Sequence, residues 1–145
     1  RTTQVIAYFD TSAIVPLVVD EATTDTCNRL WTESTRVVSV RLIYPEARAA
    51  LARAGRMGRL TRSQLNAAVL ELDSLIEEVD VIELSADIAR SAGELAQQHR
   101  LRGYDAVHLA AVLAVADDDV VLVTGDGELA AAAQAAGIAV SVVTA

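Results

Sequence analysis

A chain of 145 residues has the length of one ordinary domain and can bury a substantial core. About half its residues are hydrophobic, few are aromatic and Ala is abundant, which suits small-residue helices on a Val/Ile/Leu sheet and excludes a disordered chain. The net charge of −8, taken as a sum, argues against a partner built of phosphates.

The distribution of charge qualifies that sum. Every basic residue is Arg, and Arg41, Arg48, Arg53, Arg56, Arg59 and Arg62 fall within residues 41–62 against the single acid Glu46. A basic stripe on an acidic body is compatible with gripping an anionic polymer at one place, and equally with a solvated helix face in an Arg-rich composition. The lone cysteine, Cys27, excludes an internal disulfide, fits a reducing compartment such as the cytoplasm, and reads as a small core residue. No apolar run approaches the ~18 residues of a membrane span. Asp10 and Pro16 interrupt the apolar start, so no signal peptide is expected.

In chain order, VIAYF (5–9) reads as a strand that runs straight into Asp10, and TSAIVPLVVD as a turn and short helix. Residues 20–34 read as an amphipathic helix with Cys27, Leu30 and Trp31 inward, and RVVSV (36–40) as a short strand. A helix over 42–54 is followed by a break at GRMG (55–58). Thr61 is placed to cap a long helix to about Glu78, with Leu65, Ala68, Leu72, Leu75 and Ile76 at helical spacing. VDVIEL (79–84) reads as a strand, Ser85 opens a helix to about Arg100, and residues 105–116 form another. VVLVT (120–124) is β-branched and bounded by turn residues, ELAAAAQAAG is a helix stopped by Gly137, and IAVSVV (138–143) is the last strand. Alternating strands and helices, with strands that are short continuous apolar runs, imply an α/β fold. Its central sheet is mostly parallel, of about five strands, with helices on both faces.

Four carboxylates stand where burial is expected. In an open parallel sheet, ligands gather outside the carboxyl ends of the strands. Asp10 lies at such an end, and Asp126 lies two residues past the end of VVLVT. If those strands are neighbours, the two acids meet. Either could instead cap a helix. Glu46 has Leu42, Ile43, Ala49 and Ala50 as its helical neighbours, so it sits on an apolar face and needs a cation or an ion pair. Pro45 beside it marks either a first helical turn or a kink. Asp105 has His108, Leu109 and Val112 on its side of the helix, and could also be a first-turn acid favoured by the helix dipole. Packed together, four such acids would repel unless they held a cation. Oxygen donors favour Mg²⁺ or Mn²⁺, and with two His and one Cys a zinc site is not expected. Mg²⁺ on clustered carboxylates suits the activation of water against a phosphodiester.

The segments YFDTSAIVPL, PEARAAL, LRGYDAVHLAAVL and VLVTGDGELAAAA together resemble the motif blocks of the PIN-domain ribonucleases, most of all the VapC-type toxins of toxin–antitoxin pairs. The resemblance spans nearly the whole chain, with RGYDAVHLA its most distinctive piece. It implies one PIN-like domain over residues 1–145, Mg²⁺-dependent cleavage of RNA, a homodimer, and a cognate antitoxin as inhibitor. It implies that Asp10, Glu46, Asp105 and Asp126 are the acidic quartet, with Asp10 and Asp105 as principal metal ligands. Thr11 and Thr124 would hold carboxylates or water through their hydroxyls. Pro45 departs from the usual pattern and leaves the aim of Glu46 open.

On this reading Asp126 completes the metal site, Glu46 orients or deprotonates the attacking water, and Arg48, Arg53, Arg56 and Arg59 hold flanking phosphates. His108 is expected to be a helix histidine hydrogen-bonded near the carboxylates, His99 to face solvent, and Trp31 and Tyr44 to lie in the core or an interface. The helices over 12–35 and the GRMGRL turn are candidate antitoxin contacts. Other enzymes with a strand ending in Asp fit less well. A haloacid-dehalogenase-type phosphatase wants a second Asp where Ser12 stands and a Lys, which this chain lacks; a von Willebrand-type metal site is broken at Ile14. The alternative from another class is a PIN-fold binding module with an idle site, acting through its antitoxin.

Overall fold

The computed structural model describes residues 4–116 and 119–144. The strands are β1 (Ile6–Phe9), β2 (Arg36–Val40), β3 (Asp80–Ile82), β4 (Val120–Thr124) and β5 (Ala139–Val142). The helices are α1 (Thr11–Ile14), α2 (Thr24–Glu33), α3 (Ile43–Arg56), α4 (Arg62–Glu77), α5 (Ala86–His99), α6 (Gly103–Ala114) and α7 (Gly127–Ala135), with a 3-10 turn at Val15–Leu17. The sheet order is β3-β2-β1-β4-β5, and every pairing is parallel. The expected α/β architecture is therefore present, with five strands.

Strand alternation divides the core into two layers. Ile6, Tyr8, Val38, Val40 and Leu122 pack on one face with Ala92 of α5, Leu109 and Val112 of α6, and Leu129 of α7. Ala7, Phe9, Val37 and Val123 pack on the other with Ile14, Cys27, Ile43, Leu51 and Leu72 from α1 to α4. Covering both faces is what makes the strands continuously apolar. Phe9 meets Trp31 edge to face at 5.7 Å, which holds α2 on its layer.

Several boundaries differ from the sequence reading. α2 begins at Thr24 rather than near 20, because Thr24 Oγ1 donates toward the Pro16 and Val19 carbonyls and accepts from the Glu21 N–H, fixing a local turn there. α3 continues through Gly55 and ends at Arg56. Gly55 is a close approach between helices, not a break: a Cβ there would stand 3.2 Å from Leu65 Cδ2. The turn lies at 57–60, where Gly58 has φ +77°. α6 starts at Gly103, two residues earlier than expected. Pro45 sits in the first turn of α3, where its missing N–H has no intrahelical role to lose.

This topology creates a switch point. The chain moves outward from β1 through β2 to β3, then returns to the opposite side of β1 as β4. Loops leaving β1 and β4 therefore diverge at the carboxyl end of the sheet and open a crevice.

Candidate active site

β1 and β4 are neighbours, with Phe9 paired to Val123, so Asp10 and the residues after Thr124 emerge side by side. The Asp10 N–H continues the ladder to the Val123 carbonyl (3.3 Å). Its side chain is buried and accepts from three donors: Ser12 Oγ at 2.6 Å, the Ala13 N–H at 3.2 Å and Thr124 Oγ1 at 2.6 Å. Asp10 thereby caps α1 as well as ending β1. Burial pushes its carboxyl above the usual range, opposed by His108 and these hydrogen bonds.

Ser12 and Thr124 tie the two strand ends together. Ser12 Oγ accepts from the Gly125 N–H at 2.7 Å, and Thr124 Oγ1 accepts from the Asp126 N–H at 3.0 Å. A Cβ on Gly125 would stand 3.4 Å from Ser12 Oγ, an ordinary van der Waals contact. Asp126 fills two roles at once. Its Oδ1 accepts from the Glu128 and Leu129 N–H groups and caps α7, while Oδ2 lies 3.5 Å from Arg102 Nη2.

Asp105 occupies the first turn of α6 and is buried. Arg102, one turn earlier, donates from Nε to Asp105 Oδ2 at 3.2 Å. Burial raises the Asp105 carboxyl, the negative charge of Asp126 raises it further, and Arg102 pulls it back. Arg102 is exposed and lies between the two acids, so it acts as an internal counter-ion.

Glu46 reaches the same place from the other helical layer. Thr11 Oγ1 donates to its Oε1 at 2.9 Å, and His108 Nε2 lies 2.7 Å from the same oxygen. His108 is buried on α6, and its Nδ1 is 2.8 Å from the Tyr8 hydroxyl. Glu46 and His108 thus join the α3 and α6 layers over the end of β1.

All four acids line one cleft of about 730 Å³, together with Glu21, Arg53, Arg56, Arg102 and Tyr104. Arg53 and Arg56 project into it from α3. Arg48 faces away: its Nη1 donates to the Tyr44 hydroxyl, which donates to Asp73, beside a separate groove between α3 and α4. Arg41 pairs with Glu83 at the surface, and Arg59 is exposed beyond the end of α3.

The donor chemistry suits a hard divalent cation. Oxygen ligands from Asp10, Asp105 and Asp126 face one crevice, and the first two are carboxyls whose ionised forms burial disfavours. Among the described residues, however, no three acidic, His or Cys side chains close around a single point. Arg102 supplies the positive charge between Asp105 and Asp126 in this arrangement.

The PIN domain family model matches residues 7–135. Ribonuclease VapC45 of Mycobacterium tuberculosis is 42% identical over 136 residues, covering 94% of each chain. The chain belongs to the PIN-domain family, among the VapC ribonucleases. Solved PIN-fold structures agree in architecture. VapC20 of Mycobacterium tuberculosis, described as a sarcin-ricin loop cleaving toxin, superposes with a TM-score of 0.67 at 23% identity, over 87% of this chain and 94% of its own. A toxin–antitoxin complex from Klebsiella pneumoniae gives a TM-score of 0.60 at 18% identity, over 83% and 86%.

The residues alone singled out the four acids that line this cleft, and the resemblance added Thr11 and Thr124, which hydrogen-bond Glu46 and Asp10. The sequence reading passed over Ser12, Tyr8, Tyr104 and Arg102. Two of these had a usable signal. Tyr8 precedes Asp10 by two residues, so both share one face of the strand, and Arg102 precedes Asp105 by three, one helical turn. Ser12 and Tyr104 carried none, since serine near a turn and tyrosine near a helix start are ordinary.

Proposed function

We propose that this chain is a Mg²⁺-dependent endoribonuclease, the toxin of a toxin–antitoxin pair, with Asp10, Glu46, Asp105 and Asp126 as its catalytic acids. The observation that carries the reading is the convergence of these four side chains on one cleft at the switch point of the sheet. Membership of a family whose relatives are named ribonucleases supports the same chemistry.

Asp10, Asp105 and Asp126 would hold Mg²⁺, or Mn²⁺ in its place. When bound, the ion supplies charge neutralisation at a scissile phosphate and acidifies a water molecule. The protein's own part is positional. Ser12, Thr124 and the Ala13 N–H fix the Asp10 carboxylate, and the α7 cap fixes Asp126. Glu46, steadied by Thr11 and His108, is the group placed to orient the attacking water and accept its proton. Arg53 and Arg56 on the cleft wall hold flanking phosphates and position the strand without reading its sequence. Single-stranded RNA is the expected substrate, since an open cleft with an exposed Tyr104 admits unpaired bases.

The antitoxin is a small protein that covers this cleft and meets its acids with a basic side chain. The Klebsiella toxin–antitoxin complex, a structural neighbour, supports a partner of that kind. A homodimer and residence in the cytoplasm complete the proposal. No helix among the described residues is long and apolar enough to cross a membrane. The test is incubation of the purified protein with a panel of RNAs in Mg²⁺, in EDTA, and as an Asp10→Ala variant. Cleavage in Mg²⁺ alone is expected. Cleavage surviving both EDTA and the variant would overturn the assignment of these acids, and no cleavage of any RNA would leave a binding module with an idle site.

A further inference from the structure

Tyr8 is a buried polar side chain for which the chemistry above has no use, and the part given there to buried His108 is only to steady Glu46. Burying a phenol and an imidazole is costly unless their polar atoms find partners, and an apolar pair would fill the same space without that demand. Here the partners form one line: Tyr8 Oη, His108 Nδ1, His108 Nε2 and Glu46 Oε1, with steps of 2.8 and 2.7 Å. The rings stand edge to face at 5.7 Å, so packing fixes their orientation as well.

The chemistry of the partners sets the direction of the hydrogen bonds. An ionised Glu46 only accepts, so Nε2 carries the proton. In a neutral ring Nδ1 then accepts, and the Tyr8 hydroxyl supplies its donor. Burial, the largest influence on the phenol, keeps it protonated through the ordinary pH range. The Thr11 hydroxyl and Nε2–H both address Oε1, so two donors from different elements anchor one oxygen of the Glu46 carboxylate, whose residue lines the cleft.

We propose that Tyr8 and His108 are positioning residues that aim the Glu46 carboxylate, Tyr8 by holding His108 in its Nε2–H tautomer. This deepens the nuclease reading and rests on it. The two residues reach Glu46 from β1 and α6, while Glu46 belongs to α3, so the pair couples the base to the opposite layer of the core.

Imidazole ¹⁵N spectra of the chain read the tautomer directly, and a His99→Gln variant assigns the two rings. The Nε2–H form is expected in the native protein and a loss of that preference in Tyr8→Phe. Steady-state cleavage of single-stranded RNA in Mg²⁺ gives the second readout. Tyr8→Phe and His108→Asn should lower kcat about tenfold or more, with KM and Mn²⁺ affinity unchanged. His108→Gln, whose amide N–H can stand where Nε2–H stood, should recover much of the loss. An Nδ1–H tautomer in an active enzyme would overturn the proposal. So would failure of His108→Gln to exceed His108→Asn, or a loss seen in KM and metal affinity instead of kcat. An Nε2–H ring in a native protein that cleaves no RNA would sink the nuclease reading, and the positioning role with it, while leaving the hydrogen-bond arrangement standing.

Discussion

Asp105 shows how a single side chain can be kept at the expense of stability. Its carboxyl is raised by burial and by Asp126, as that of Asp10 is by burial. Both therefore bind protons more tightly in the folded than in the unfolded chain. The stability they contribute is complete below the ordinary carboxyl range and is lost as pH rises through their elevated folded values. At neutral pH without a divalent cation, both acids weigh against folding. Asp105→Asn should then raise the melting temperature of the metal-free protein at pH 7, with the gain disappearing as pH falls to the ordinary carboxyl range. The lost partner, Arg102, is exposed and contributes little in return. Calorimetry at the two pH values checks this, and an equal drop at both would refute it. The acids were legible in the sequence because a carboxylate closing an apolar run demands an explanation. Ser12 and Arg102 were not, because Ser and Arg fit any loop, and only the folded geometry gives them partners.

Among the elements, α4 is the one whose start was plainest. Thr61 accepts from the Gln64 N–H at 3.1 Å, and the Gln64 side chain returns the bond to the Thr61 N–H at 2.8 Å. Thr61→Ala should cost about 1 kcal/mol in denaturant titration and leave RNA cleavage unaltered, since Thr61 lies away from the cleft. A change in activity without a change in stability would contradict that separation. The ends of α2, α3 and α6 differ from the sequence reading, each for its own reason. Thr24 bonds backward into a turn, Gly55 serves helix packing, and Arg102 begins α6 without a side-chain cap. Capping chemistry can be read from sequence when side chain and backbone are near neighbours. It cannot be read when a tertiary contact decides the boundary.

For the molecule as a whole, the continuous apolar runs implied strands covered on both faces, which holds for β1, β2 and β4 but less for the edge strands β3 and β5, and they did not tell which strands lie side by side. The adjacency of β1 and β4 closes over more than a hundred residues, and the convergence of Asp10 with Asp126 depends on it. Charge behaves similarly. The stripe over 41–62 was visible, but folding sends Arg53 and Arg56 into the cleft and turns Arg48 toward Tyr44. Replacing Arg53 and Arg56 by Ala should weaken RNA binding evenly across sequences and flatten its salt dependence by about 1–2 units of log–log slope. Binding isotherms at several salt concentrations measure that slope, and the same substitution at Arg48 should leave it nearly unchanged.

The claim on which the rest depends is that acids drawn from β1, α6 and the β4–α7 loop together hold one divalent cation. Titration with Mn²⁺ followed by electron paramagnetic resonance tests it most directly. The account expects the native protein to bind Mn²⁺ in competition with Mg²⁺, and Asp10→Asn and Asp105→Asn each to lose most of that binding while remaining folded. Mn²⁺ binding of the same strength in both variants would show that the carboxylates share a cleft without sharing an ion.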